Sequence, residues 1–255
     1  MRDVLVIIPT YNERENIEAI TSAVLESTPR CEILIVDDGS PDGTGKIADR
    51  ISAQNERAHV LHRTEKQGLG RAYIAGFLWA LEREFEFILE MDADFSHLPT
   101  DVPRLIGATD SADLVLGSRY LEGIRVINWP LHRLILSRGA SLYVRIITGM
   151  KFSDPTGGFK CFRRTVLETM PLDEVRSNGY SFQVEMTHLS WQLGFKVAEI
   201  PIVFDERRSG HSKMNAAIVR EALWMVWKIW LNAGLRRSAG SAHPKSILSQ
   251  REERA

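Results

Sequence analysis

Two aspartates one residue apart, Asp92 and Asp94, follow directly on a hydrophobic run ending at Met91, and Ser96 lies two residues further on. Carboxylates delivered by the end of a strand can hold a hard divalent cation through oxygen atoms. Mg²⁺ or Mn²⁺ bound this way keeps several waters and bridges substrate phosphates. Other chain segments carry a different chemistry. Arg133 and Ser137 are four residues apart, one helical turn, and so form a two-point site for an anion. Residues 119–164 hold nine Lys and Arg against two acids, Glu122 and Asp154. The basic stretches that follow an acidic first half suggest an anionic partner, and nucleic acid, phosphorylated metabolites and an anionic membrane all fit that description.

These groups need elements to position them. Short β-rich runs at 4–8, 32–36, 59–62, 87–91 and 114–117 alternate with helical patterns at 13–25, 45–53, 69–81 and 102–108. That alternation predicts parallel βαβ units with helices on both faces of the sheet. Ligands collect at the carboxyl ends of such strands, which is where the acidic pair lies. Beyond 120 the spacing predicts a helix over 130–147, a turn-rich loop over 154–159, a helix over 181–193, a strand over 196–204, a basic loop over 205–213 and a last helix over 216–231. Thr10 and Glu13 have capping-box spacing for the first helix. Lys66-Gln67-Gly68-Leu69-Gly70 opens another helix but lacks dinucleotide-binding spacing.

Composition bounds the reading. The 255 residues are 44% hydrophobic and 25% charged, which is globular rather than disordered. Cys31 and Cys161 form no metal or disulfide pattern, which fits a reducing compartment. The net charge of −1 divides into −6 over residues 1–199 (22 basic, 28 acidic) and +5 over 200–255 (10 basic, 5 acidic). No apolar run reaches the roughly 20 residues of a membrane span. Trp224, Trp227 and Trp230 recur at three-residue spacing near Arg220, Lys228, Arg236 and Arg237, a pattern suited to the membrane boundary or to a buried interface. Trp129, ahead of the 130–147 helix, makes that helix a second candidate for membrane contact. Aromatic platforms among the basic residues are sparse, so no nucleic acid is expected. Residues 1–237 read as a single domain and 238–255 as a disordered tail.

An ordered set of strings carries a family resemblance: Pro9-Thr10-Tyr11-Asn12-Glu13, Val36-Asp37-Asp38-Gly39-Ser40-Pro41-Asp42-Gly43-Thr44, Lys66 to Gly70, Met91-Asp92-Ala93-Asp94, Gly117-Ser118-Arg119-Tyr120 and Ser209-Gly210-His211-Ser212-Lys213. Over about residues 3–231 the chain resembles the family-2 glycosyltransferases, and among them the polyprenol (dolichyl) phosphate mannosyltransferases. The resemblance implies a GT-A-like, Rossmann-like nucleotide-sugar domain with a mainly parallel sheet and peripheral amphipathic helices at the membrane interface. It implies inverting transfer of mannose from GDP-mannose to a polyprenyl monophosphate. By the same resemblance Pro9, Tyr11 and Glu13 wall the base, Val36 and Asp38 flank base and ribose, and Asp92, Ala93 and Asp94 hold the diphosphate and metal, with Ser96 as a further metal-side group. Arg119, Arg133 and Ser137 cradle the acceptor phosphate, and Arg207 and Lys213 form a lid over the phosphates. The expected location is the cytoplasmic face of a membrane, held peripherally, with an integral-membrane partner protein. Transfer of glucose or another sugar to the same lipid is the alternative within the class; a non-catalytic nucleotide-binding scaffold is the alternative outside it.

Overall fold

A computed structural model of the chain describes residues 3–205 and 224–231. Seven strands form one sheet: β1 (Val4–Thr10), β2 (Cys31–Asp37), β3 (Ala58–His62), β4 (Phe87–Glu90), β5 (Leu114–Ser118), β6 (Lys160–Arg163) and β7 (Val197–Pro201), in the order β3-β2-β1-β4-β6-β5-β7. Every pairing is parallel except those of β6, which runs antiparallel between β4 and β5. The helices are α1 (Ile17–Ser27), α2 (Thr44–Gln54), α3 (Leu69–Leu81), α4 (Val102–Ala108), α5 (Leu131–Thr148), α6 (Arg164–Thr169) and α7 (Gly179–Gln192). From β1 the chain passes to β2 on one side, while β4 pairs β1 on the other. The crevice outside the ends of β1 and β4 is therefore the topological switch point of the sheet.

Near-continuous apolar runs make these strands because both sheet faces are covered. On one face Leu5, Ile7, Leu34 and Ile88 meet Tyr73, Phe77 and Phe182 of α3 and α7. On the other, Val6, Ile8, Ile35 and Leu89 meet Ile17, Ile20 and Val24 of α1 and Leu105 of α4. The sheet is thus mainly parallel and covered on both faces, as the alternation predicts.

Two local expectations differ. The first helix starts at Ile17, not at 13, because Asn12 takes a left-handed conformation (φ 62°) and the Thr10 hydroxyl donates to Asp37 Oδ1 (3.1 Å) instead of capping the helix. The capping-box reading of Thr10 and Glu13 is therefore not realised. The second is β6: its four residues, Lys-Cys-Phe-Arg, are too short and too charged to read as a buried strand, yet Lys160 is fully buried.

Helix α5 turns its small polar side chains inward. Ser141 and Thr148 are buried with Val144, while Leu131 (70% exposed), Ile135 (62%) and Ile146 (70%) face outward. Residues 224–231 are helical, with Val226 and Ile229 packed beside Val144 and Val184, and Trp224, Trp227 and Trp230 exposed. Among the described residues no helix is long and apolar enough to cross a membrane. The segment 238–255 lies outside the described residues.

Candidate active site

A cleft of about 480 Å³ opens at the switch point. The ends of β1 and β2 supply Pro9, Tyr11, Glu13 and Asp38 to one part of its lining. The Lys66 ammonium lies 3.6 Å from the centre of the Tyr11 ring, a cation–π contact. Arg63 Nη1 donates to Asp38 Oδ1 (2.6 Å) and its Nη2 to Gln67 Oε1 (2.8 Å), which fixes the carboxylate at the cleft wall. Burial raises the Asp38 pKa, and the Arg63 charge opposes that shift without cancelling it. Val36 is not among the residues lining the cleft: it is fully buried in the core cluster that holds Leu34 and Ile7. In the Lys66–Gly70 loop, glycine serves packing as well as the cleft. A Cβ at Gly70 would lie 2.5 Å from the Ser177 carbonyl oxygen, so only glycine lets α3 approach the start of α7.

The chain leaving β4 carries Asp92, Ala93, Asp94, Ser96 and His97, all lining the cleft. The turn is held from within. Ser96 donates to Asp94 Oδ1 through its amide (3.1 Å) and hydroxyl (2.5 Å), and the Asp92 amide donates to His97 Nδ1 (3.1 Å). An accepting Nδ1 leaves the proton of the neutral ring on Nε2. Burial pushes the His97 pKa down to about 4, so the ring is neutral near pH 7. His97 stacks on Phe159 with ring centres 4.7 Å apart. His97 thus closes the acidic turn.

The donor set is two carboxylates and a hydroxyl, all oxygen, which suits Mg²⁺ or Mn²⁺. Among the described residues no group of three or more His, Cys, Asp or Glu forms a full cage. The residues fit a hard cation that Asp92 and Asp94 would hold together with water and ligand phosphates, and Ser96 braces Asp94.

The basic residues divide. Arg119, at the end of β5, is buried and spent on Asp154: Nε donates to Oδ2 (2.6 Å), Nη2 to Oδ1 (2.7 Å) and the amide to Oδ2 (3.1 Å), and Nη2 also reaches Thr156 Oγ1 (2.9 Å). Burial opposes charge on Asp154, but the guanidinium outweighs it and holds the carboxyl below its usual range. Burial also opposes the charge on Arg119, and Asp154 more than restores it, so the Arg119 pKa is raised. Arg119 lines the cleft, and its guanidinium is held there in an internal ion pair with Asp154. Arg133 lines the cleft as expected. Ser137 does not: it accepts from the Tyr120 hydroxyl (2.7 Å), and the next serine inward, Ser141, pairs with Thr156 (3.3 Å). Arg207 and Lys213 lie outside the described residues.

Several site residues leave no local signal in the sequence. Trp129 lines the cleft with Phe204, instead of standing at the outer surface. Glu90 and Lys160 face each other in the β4–β6 register, and Lys160 Nζ donates to the Gln183 carbonyl (2.7 Å) and to Gln183 Oε1 (2.5 Å). Burial raises the Glu90 pKa to about 7 against the pull of Lys160, and lowers that of Lys160 to about 8. Asp154, Lys160 and Gln183 are distant in sequence from the acidic turn, and only the sheet order brings them beside it.

The chain matches other proteins over nearly its whole length. It is 49% identical to "polyprenol monophosphomannose synthase" of Mycolicibacterium smegmatis over 92% of this chain and 90% of that protein. It is 47% identical to "undecaprenyl-phosphate mannosyltransferase" of Micrococcus luteus over 93% and 99%. It is 36% identical to "dolichol-phosphate mannosyltransferase" of Pyrococcus furiosus over 89% of this chain and 63% of that one. In fold it resembles the glucosyl-3-phosphoglycerate synthase of Mycobacterium tuberculosis, crystallised with Mn²⁺, uridine diphosphate and glucosyl-3-phosphoglycerate, with a TM-score of 0.63 at 19% identity over 91% of this chain and 80% of that one. The sequence signature described as "Glycosyl transferase family 2" matches residues 5–170, which contain the switch-point loops, the acidic turn and the Arg119–Asp154 pair. A GT-A-like sheet with an all-oxygen acidic turn at its switch point, matched over this length, makes the chain a member of glycosyl transferase family 2.

Proposed function

We propose that the protein transfers mannose from GDP-mannose to a polyprenyl monophosphate, with inversion at the anomeric carbon, releasing GDP. The observation that carries this reading is one cleft in which the acidic turn and Arg133 are both lining groups, beside a base-side wall of Tyr11 and Asp38. The names borne by relatives of 47–49% identity support the sugar and the acceptor class.

The chemistry follows from the acceptor. A phosphate monoester has a second pKa near 6, so at neutral pH it already presents a nucleophilic oxyanion. No side chain has to remove a proton. A phosphate oxygen bonds to the anomeric carbon as the bond from that carbon to the diphosphate oxygen breaks, and the electron pair leaves with GDP. The obstacle is repulsion: two unit charges 4 Å apart at an effective dielectric near 20 oppose one another by about 4 kcal/mol. Arg133 supplies positive charge on the acceptor side, and we assign Arg207 and Lys213 to the same task. Asp92 and Asp94 would hold Mg²⁺ or Mn²⁺, which would supply positive charge for the departing diphosphate. Tyr11, Asp38 and the Lys66 stack orient the nucleotide.

The outward apolar face of α5 and the exposed tryptophans of 224–231 would lie on the membrane surface that holds the lipid. A peripheral position on the cytoplasmic face, with an integral-membrane partner, completes the reading. The test is to incubate purified protein with radiolabelled GDP-mannose or UDP-glucose, short polyprenyl phosphates and Mg²⁺. Label from GDP-mannose should enter the organic phase, cease with chelator and return with Mg²⁺ or Mn²⁺. Label from UDP-glucose alone would replace the mannosyl reading with the glucosyl one, and full activity in chelator would remove the metal assignment.

A further inference from the structure

Trp129 precedes α5 and is placed by the strand-like segment around it. The Ile127 amide donates to the Phe204 carbonyl (2.9 Å), the Phe204 amide to the Arg125 carbonyl (2.9 Å), and Asn128 Nδ2 to Asp205 Oδ1 (2.9 Å). The Phe204 ring meets Trp129 edge-on at 5.4 Å and His97 edge-on at 5.5 Å. An aromatic string thus runs from the acidic turn to the start of α5. At its end the Arg133 guanidinium carbon lies 4.2 Å from the centre of a Trp129 ring. Both residues line the cleft.

We infer that Trp129 is a positioning residue for acceptor binding, whose ring holds the Arg133 guanidinium in place to receive a phosphate monoester. The inference rests on the acceptor reading above and extends it from the cation to the group that fixes it. An unrestrained arginine occupies many rotamers and loses them on binding; a guanidinium held against an aromatic ring has lost them in advance. The contact uses the π-face of the cation, and a phosphate would be met by the N–H groups at its edge. Arg119 lies 5.7 Å from the same ring but is committed to Asp154, so the indole serves Arg133. The indole Nε1 is buried and has no hydrogen-bond partner among the described residues. A tryptophan at a membrane boundary keeps its N–H wet; this one contributes its ring.

The experiment is titration of the full chain with farnesyl phosphate, with farnesol as the uncharged control, alongside the transfer assay with GDP-mannose. Trp129→Leu should weaken farnesyl phosphate binding by roughly 3- to 30-fold, leave farnesol unchanged and leave the KM for GDP-mannose unchanged. Trp129→Phe, which keeps a ring and removes the orphaned N–H, should recover most of the affinity. In an Arg133→Ala background Trp129→Leu should cause no further loss. An equal further loss in that background, or a parallel loss for farnesol, would overturn the inference and make Trp129 a packing or lipid-contact residue. If Trp129→Leu does not fold, Trp129→Met takes its place with the same outcomes. A parent chain that neither binds farnesyl phosphate nor transfers mannose would remove the acceptor site itself, whereas binding by the parent with unmoved variants removes this inference alone.

Discussion

Replacing Arg119 should cost the protein its stability before its chemistry, and replacing Arg133 the reverse. Arg119 makes three hydrogen bonds to Asp154, of 2.6, 2.7 and 3.1 Å, and one to Thr156 of 2.9 Å. The side chains of Arg119 and Asp154 are 6% and 0% exposed, so neither water nor salt screens the pair. Removing one partner of such a pair leaves an uncompensated buried charge and costs about 3–5 kcal/mol. In a domain of this length each kcal/mol moves Tm by about 2–4 °C. Arg119→Ala should therefore melt roughly 6–20 °C below the parent. Arg133, half-buried at the cleft, should melt within about 2–4 °C of the parent as Ala while turnover falls about 10²–10³-fold, the usual cost of one preorganised charge-stabilising donor. Differential scanning calorimetry and transfer rates on both variants decide the matter. An Arg119→Ala protein that melts with the parent and loses only turnover would refute the structural assignment and restore the phosphate-cradle role.

The same pair has a pH signature: Asp154 is held below its ordinary value of 3.8, so its contribution is present above that value and is lost as pH falls through the folded pKa. The melting gap between parent and Asp154→Asn should accordingly be constant at neutral pH and narrow in acid below about 4. Lys160→Met should destabilise in urea titrations by an amount that grows as pH rises above the Glu90 value of about 7, up to about 3–5 kcal/mol, because an ionised Glu90 is then left buried without a countercharge, and Lys160→Met with Glu90→Gln should recover most of that loss. A double variant no more stable than the single one would mean that Lys160 acts through Gln183 and not through Glu90.

The parts of the fold that are legible in the sequence are those governed by local pattern. Runs such as Val4-Leu5-Val6-Ile7-Ile8 can only be strands covered on both faces, and the loops after them carry Tyr11, Asp38, Asp92 and Asp94 to one edge. What is not legible depends on partners far away in the chain. Lys160 looks like a solvent-facing residue until β6 inserts antiparallel beside Glu90. Trp129 has the sequence context of a membrane-facing tryptophan, and its place is set instead by Phe204, 75 positions later. Ser137 has the spacing to share an anion with Arg133, but it accepts from the Tyr120 hydroxyl, brought over from the end of β5, and is not among the residues lining the cleft.

The division of the arginines bears on how such a site can work. Arg119 and Arg133 both line the cleft, and two uncompensated guanidinium groups there would repel each other in the unliganded protein, by an amount comparable to the attraction each offers a phosphate. Pairing Arg119 with Asp154 removes that repulsion and leaves a neutral, hydrogen-bonded wall joining the end of β5 to Thr156, which pairs in turn with Ser141 of α5. The helix that carries Arg133 is thereby tied to the same strand end as the ion pair. A cation so placed can act on a reacting phosphate without first reorganising, which is the condition under which electrostatic stabilisation lowers a barrier instead of only tightening binding. On this view the buried arginine contributes by being already neutralised, and the half-buried one by being already held.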